Sequence, residues 1–295
     1  MKNNIIKSNG QNLWFESFGK LFDPAILLIQ GSGAQGILWP NNFCKLLAQH
    51  GYFVIRYDHR DTGMSSFVDF DAHPYNLMDL AKDAKGILES LNILKAHIIG
   101  SSMGGYIAQL IGYYYPEMVL TLTFMMTSTI SASLEHAFLE ESENPFPLPL
   151  PTEEFADAIL EGPCLDTQSE VSIANYLLFI WESYNGKGKC FDKQAWYQLA
   201  TLWYNRSKAG FQNINHRLAV NLSPLTRDKE VKGIQAPVLI IHGAEDPFFT
   251  LHHAYALQKV LPDASLKIIK NMGHLFHEVF IEEVLQHIVY HLQNR

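Results

Sequence analysis

Cysteine is scarce in this 295-residue chain: Cys44, Cys164 and Cys190 lie far apart, are odd in number and form no CxxC or CxxH spacing. That argues against a disulfide framework or a structural zinc site. Basic residues are also few, 22 Lys plus Arg against 30 Asp plus Glu, for a formal charge of −8. Without a basic cluster the chain is poorly suited to nucleic acid or to anionic lipid. No apolar run approaches the ~20 residues of a membrane span. One of the longest, Val119–Met126, is interrupted by threonine. Met1-Lys2-Asn3-Asn4 leads into a mixed segment without a signal-peptide core, so the expected location is the cytoplasm. What is present is a globular composition, 47% apolar and 18% charged, which excludes wholesale disorder. Length alone allows one large domain or two ordinary ones.

Period and punctuation give an alternating pattern. Ile5–Lys7 and Leu13–Ser17 flank Asn9-Gly10, a hairpin signal. Continuous apolar strands are expected at Ala25–Gln30, Tyr52–Tyr57, Ala96–Gly100, Val119–Met126, Pro237–His242 and Ser265–Lys270. Helical periods fill Asn41–Gln49, Leu77–Leu91, Met103–Tyr115, Leu251–Val260 and Glu278–Gln293. Alternation of this kind indicates a mainly parallel sheet covered on both faces, with the hairpin as an antiparallel edge. Between Thr127 and Ser223 it breaks down. Prolines at 145, 147, 149, 151 and 163 precede helical stretches Val171–Tyr184 and Lys193–Tyr204. This segment reads as a mostly helical insertion between two strands of one sheet.

The strongest chemical signal is Gly100-Ser101-Ser102-Met103-Gly104, a G-x-S-x-G pattern between a strand and a helix. That context makes Ser102 a candidate nucleophile on a sharp turn, with backbone N–H groups of the helix N-terminus close by. A serine needs a base oriented by a third group. In the order Ser, acid, His, the acid falls in Gly243-Ala244-Glu245-Asp246-Pro247 and the base in Asn271-Met272-Gly273-His274. Asp246 is preferred to Glu245 because Pro247 directs a turn after it. His274 is preferred to His277, its one serious rival. The amides of Met103 and of Ser32, within Gln30-Gly31-Ser32-Gly33, are candidate oxyanion donors. In Asp58–Ser65 the charges read as a bracing loop rather than as catalytic groups, because buried charges are usually paired. His287 and His291 read as a solvated helix face and not as metal ligands. His252 and His253 read as capping or surface residues, and His242 as packing or cleft-facing. No phosphate-binding loop is present: Gly100–Gly105 has no Walker lysine, and Gly31–Gly33 has no third glycine.

With these motifs in hand, the chain resembles the α/β-hydrolase superfamily, specifically its serine esterases. The resemblance covers Asn4–Met126 and Pro237–Gln293. It implies an α/β-hydrolase fold: a mostly parallel eight-stranded sheet, core 1–127 and 224–295, with a helical cap (lid), 128–223, inserted after the sixth strand. Tyr57–Gly63 and Ala72-His73-Pro74-Tyr75 are most similar to the aclacinomycin methylesterase type, which cleaves a methyl ester on a polyketide. Met64 stands where such enzymes often carry Arg. Serine at 102 argues against the dehalogenases and epoxide hydrolases, which use aspartate there.

The expected chemistry is acyl transfer to water through Ser102, His274 and Asp246, with no metal and no organic cofactor. An acyltransferase or perhydrolase using the same triad, and a small-ligand receptor with a residual triad, are the alternatives. The insertion is rich in aromatics: Phe138, Phe146, Phe155, Tyr176, Phe179, Trp181, Tyr184, Trp196, Tyr197, Trp203 and Tyr204. Part of this set must pack the cap, and Trp181, Tyr184 and Trp203 are candidate substrate contacts. With few charges there, the expected partner is a neutral, hydrophobic small-molecule ester.

Overall fold

A computed structural model describes residues 4–130, 139, 148–187, 190–207, 214–261 and 263–294. Strands β1 (Ile5–Ser8) and β2 (Gln11–Phe18) form the hairpin. Asn9 and Gly10 are both at positive φ, 46° and 79°, as its tight turn requires. The chain then alternates through β3 (Ala25–Ile29), α1 (Asn41–Gln49), β4 (Phe53–Tyr57), α2 (Leu77–Ser90), β5 (Ala96–Ser101), α3 (Met103–Tyr114) and β6 (Val119–Met125). Helices α4 (Glu153–Leu160), α5 (Glu170–Tyr184), α6 (Lys193–Arg206), α7 (Ile214–Asn221) and α8 (Asp228–Lys232) follow. β7 (Val238–Gly243), α9 (Leu251–Val260), β8 (Ser265–Ile269) and α10 (Ile281–Gln293) close the chain.

The eight strands form one sheet in the order β1-β2-β4-β3-β5-β6-β7-β8. β1 and β2 pair antiparallel, as do β2 and β4; every other pair is parallel. All five residues of β3 and of β4 are buried, as expected for strands covered on both faces. Alternate side chains serve two cores. Leu27 and Ile29 join Leu80, Ile107 and Leu257 from α2, α3 and α9, whereas Ile26 and Leu28 join Phe43 and Ile288 from α1 and α10. A third cluster joins Ile173, Leu177, Trp181, Trp196 and Trp203 of α5 and α6 to Ala34 and Leu275, on loops at the carboxyl edge.

Some sequence expectations shift here. The sequence pattern marks none of the short helices α4, α7 and α8. Phe155 of α4 and Ala219 and Val220 of α7 enter the main core, so tertiary burial supports helices too short for a clear period. A bridge from Ile130 to Thr226 ties together the two ends of the segment between β6 and β7. The expectation of a solvated face at His291 is wrong: it is 4% exposed and its Nε2 lies 3.2 Å from the Leu122 carbonyl. His253 is not a surface residue either. It is 1% exposed, with its ring nitrogens 2.8 Å from Ser128 Oγ and 3.0 Å from the Pro149 carbonyl. In both cases the histidine falls in line with buried apolar residues of its helix, Leu257 for His253 and Val284 and Ile288 for His291, and a polar partner across the fold permits its burial. Phe138 and Phe146 lie outside the described residues. No helix among the described residues is long and apolar enough to cross a membrane.

The charged loop after β4 is braced as expected. Arg60 holds Asp83 of α2 through Nε and Nη2 at 2.7 and 2.6 Å, with both side chains almost wholly buried. Tyr75 donates to Asp61 at 2.6 Å and lies under the Arg60 guanidinium. Removing one member of a buried pair strands the other charge. Asp83→Ala should therefore lower the unfolding free energy by about 3–5 kcal/mol in urea denaturation, and replacing Arg60 and Asp83 together by apolar residues should cost less.

Candidate active site

The parallel strands bring the loops after β3, β5, β7 and β8 to one edge of the sheet. Ser102, between β5 and α3, has φ 53° and ψ −121°, a sparsely populated conformation that its neighbours must hold in place. Its N–H donates to the Met125 carbonyl at 2.9 Å, and its own carbonyl accepts from Gly105 N–H and Thr127 Oγ1, each at 2.8 Å. A Cβ at Gly104 would come within 2.2 Å of the Ile29 carbonyl, so this position admits no side chain. The turn therefore depends on close backbone contact with β3.

Three side chains then meet. Ser102 Oγ lies 3.0 Å from His274 Nε2, and His274 Nδ1 lies 2.7 Å from Asp246 Oδ2. The carboxylate accepts, so Nδ1 carries the proton and Nε2 is left to accept from the serine. Asp246 Oδ1 accepts from the amides of Phe248 and Phe249 at 2.9 and 2.7 Å. Burial alone would raise the Asp246 carboxyl. The charge and hydrogen bond of His274, with help from His242 and the Phe249 amide, outweigh it and hold the carboxyl below its ordinary range. His242 is buried 3.5 Å from Asp246 Oδ2 and donates from Nε2 to the Phe249 carbonyl at 2.6 Å. The rivals face elsewhere: Glu245 accepts from the Lys187 amide, and His277 Nε2 lies 2.9 Å from Asn185 Oδ1.

The loop after β3 is held on every side of Ser32. Gly31 N–H donates to Gln30 Oε1 at 3.0 Å, Gly33 N–H to His216 Nδ1 at 2.8 Å, and Ala34 N–H to the Gly31 carbonyl at 3.2 Å. His216, on α7, donates from Nε2 to the Arg60 carbonyl at 2.8 Å, and His59 donates from Nε2 to the Gln30 carbonyl at 3.0 Å. Ser32 and Met103 both line the cavity that contains Ser102 and His274. Met103 is the first residue of α3, where an amide has no intrahelical acceptor. Sequence reasoning missed His216, whose partner Gly33 is 183 positions away. No local pattern carries a contact of that separation.

That cavity, about 390 Å³, is walled mainly by apolar and aromatic side chains, and Trp181, Tyr184 and Trp203 are among them. The end of α5 docks on the histidine loop: His274 N–H donates to the Tyr184 carbonyl at 2.8 Å, and the Tyr184 ring lies 5.1 Å from the imidazole. A Cβ at Gly273 would come within 2.1 Å of that carbonyl, so glycine permits the contact. From the end of α6, Arg206 pairs with the buried Asp58 at 2.8 Å and approaches Met64 Sδ at 3.6 Å. A cation from another element thus lies beside Met64 and the buried Asp58. Among the described residues, no group of three or more His, Cys, Asp or Glu could hold a metal ion.

A family model for the α/β hydrolase fold matches residues 24–280. The chain belongs to the α/β-hydrolase fold family. Rhodomycin D methylesterase DnrP of Streptomyces peucetius is 33% identical over 279 residues, 93% of this chain and 92% of the relative. This α/β hydrolase resembles the methylesterase type and is a carboxylic ester hydrolase. Solved structures agree on the fold. The enol-lactonase of Burkholderia xenovorans LB400 superposes with a TM-score of 0.73 at 18% identity, over 98% of this chain and 100% of that one. A meta-cleavage product hydrolase of Pseudomonas fluorescens IP01 gives 0.71 at 19%, over 98% and 97%.

Burial pushes the His59 imidazole down to about 3 and His97, His216 and His253 each to about 4. In the unfolded hydrolase these groups take up protons near pH 6.5. Between about pH 6.5 and 4 the unfolded chain therefore binds more protons than the folded one. Stability is fully present above this window and falls as pH drops through it, His216 alone costing on the order of 3 kcal/mol by pH 4. Urea midpoints measured from pH 7.5 to 4.5 should decline from about pH 6.5. His216→Gln should flatten the decline.

Proposed function

We propose that the protein hydrolyses a carboxylic ester by a two-step acyl-enzyme mechanism in which Ser102 is the nucleophile, His274 the general base and Asp246 its orienting anion. The observation that carries this reading is the unbroken hydrogen-bonded chain from Ser102 Oγ through His274 to Asp246, opening on an apolar cavity.

As Ser102 Oγ attacks the carbonyl carbon, its proton passes to His274 Nε2. Asp246, kept ionised by its partners, stabilises the resulting imidazolium and fixes the ring. The negative charge developing on the carbonyl oxygen falls between the amides of Ser32 and Met103, which are preorganised and need not reorient during reaction. His274 then gives its proton to the departing alcohol, leaving Ser102 acylated. Water, deprotonated by His274, attacks the acyl carbon, and collapse of the second intermediate releases the carboxylic acid and returns the proton to Ser102.

Residues 128–223 act in this reading as a cap over the carboxyl edge. Trp181, Tyr184 and Trp203 offer flat apolar surface to the substrate, which suits an ester with a bulky hydrophobic body. The likeness to rhodomycin D methylesterase favours a small alcohol such as methanol as the leaving group. Docking of Tyr184 on the His274 loop makes the cap part of the catalytic geometry.

With a panel of aryl and alkyl methyl esters, Ser102→Ala should lower kcat by ~10³-fold or more, and Asp246→Asn by up to ~10⁴-fold. Titrating released methanol and acid would measure both. Ester turnover by Ser102→Ala at the wild-type rate would reject the mechanism.

A further inference from the structure

We propose that the cavity is a two-ended substrate site in which Arg217, on the wall of the cavity that holds Ser102, binds an anionic oxygen group of the ester, a carboxylate or an ionised phenol. The inference rests on the mechanism above and adds the class of substrate that it serves.

Among the described residues that line the cavity, Arg217 is the one Lys, Arg, Asp or Glu side chain. It is presented deliberately. α7 turns Ile214, Arg217 and Val220, three residues apart, toward the cavity. The rotation of that helix is fixed from its other side. Asn215 donates to the Val68 carbonyl at 3.0 Å, and His216 bridges Gly33 N–H and the Arg60 carbonyl. Helix α7 could not turn to withdraw Arg217 without breaking the clamp on the loop that carries Ser32.

Helix α5 supplies a ruler between the two ends. Tyr184 packs its ring against His274 at the reacting end. Tyr176, eight positions earlier on the same helix, lies in the field of Arg217, which counters the upward push that burial gives its phenol. Eight residues of helix span roughly 12 Å. Between these tyrosines the wall is Leu177, Ile180 and Trp181, all apolar or aromatic. The walls therefore suit a ligand that joins an ester, a flat hydrophobic body and an acidic oxygen group, with the tyrosines of α5 bracketing the body. A guanidinium fork matches a carboxylate in two parallel hydrogen bonds, which a neutral hydrocarbon cannot offer. The proposed ligand differs from the neutral, hydrophobic ester expected from the low charge of the insertion.

The test uses methyl monoesters of benzene-, biphenyl- and terphenyl-dicarboxylic acids, each matched to the methyl ester that lacks the second carboxylate. Wild-type protein should favour the acid-bearing member by about tenfold or more in kcat/KM, at the length that best spans the site. Arg217→Gln should bring that ratio close to one, and Arg217→Lys should keep part of it. A ratio that is the same in wild type and Arg217→Gln, or a wild-type preference for the neutral member, overturns the proposal. Calorimetric binding of the same pairs to Ser102→Ala reads the ratio without turnover, so it judges Arg217 even if the serine mechanism fails. Should Arg217→Gln not fold, the paired dissociation constants of Ser102→Ala alone decide: equal values overturn the proposal, and tighter binding of the acid-bearing member supports it.

Discussion

The site hangs on a single strained residue. Ser102 is held at positive φ by hydrogen bonds from both of its backbone groups, one reaching β6 and the others reaching back from α3 and Thr127. The strain persists because the surrounding backbone over-determines it, and Gly104 lets α3 lie against the Ile29 carbonyl. That contact fixes the distance between the loop after β3 and the start of α3. Everything that follows, including the meeting of Ser32 and Met103 at one cavity, depends on that spacing.

Around this fixed point the chain uses buried, neutral histidines as clamps. His59 and His216, whose rings meet edge to face 5.5 Å apart, grip the loop carrying Ser32 at Gln30 and Gly33, each with its imidazole pushed well below the usual range by burial. A neutral imidazole can accept at one nitrogen and donate at the other, which is what His216 does between Gly33 and Arg60. The segment between β6 and β7 contributes in the same way. It supplies His216 to the loop, the Tyr184 carbonyl to His274 and Arg206 to Asp58. It is thus bonded to three of the loops at the reactive edge.

What the sequence made legible follows a simple division. Continuous apolar runs and glycine punctuation located all eight strands within a residue or two, because their signals are local. The motif order singled out Ser102, Asp246 and His274, whose loops the parallel strands deliver to the same edge, where the three side chains meet. Contacts between distant segments were illegible: His216 to Gly33, Arg206 to Asp58 and Tyr184 to His274 are each long-range. Histidine burial failed for the same reason. His253 lies in line with buried Leu257, and His291 with buried Val284 and Ile288, and the partners that satisfy them there lie on other elements. Arg217, one of several cations between β6 and β7, takes its meaning from α7, which faces it into the cavity.

The central claim, that Ser102 attacks while Ser32 and Met103 receive the developing charge, is tested most directly by a crystal structure of the protein inactivated with a fluorophosphonate. The account predicts a bond from Ser102 Oγ to phosphorus, with the phosphoryl oxygen about 2.7–3.1 Å from both the Ser32 and Met103 amide nitrogens. A phosphoryl oxygen turned away from those amides, or an adduct on any other residue, would contradict it.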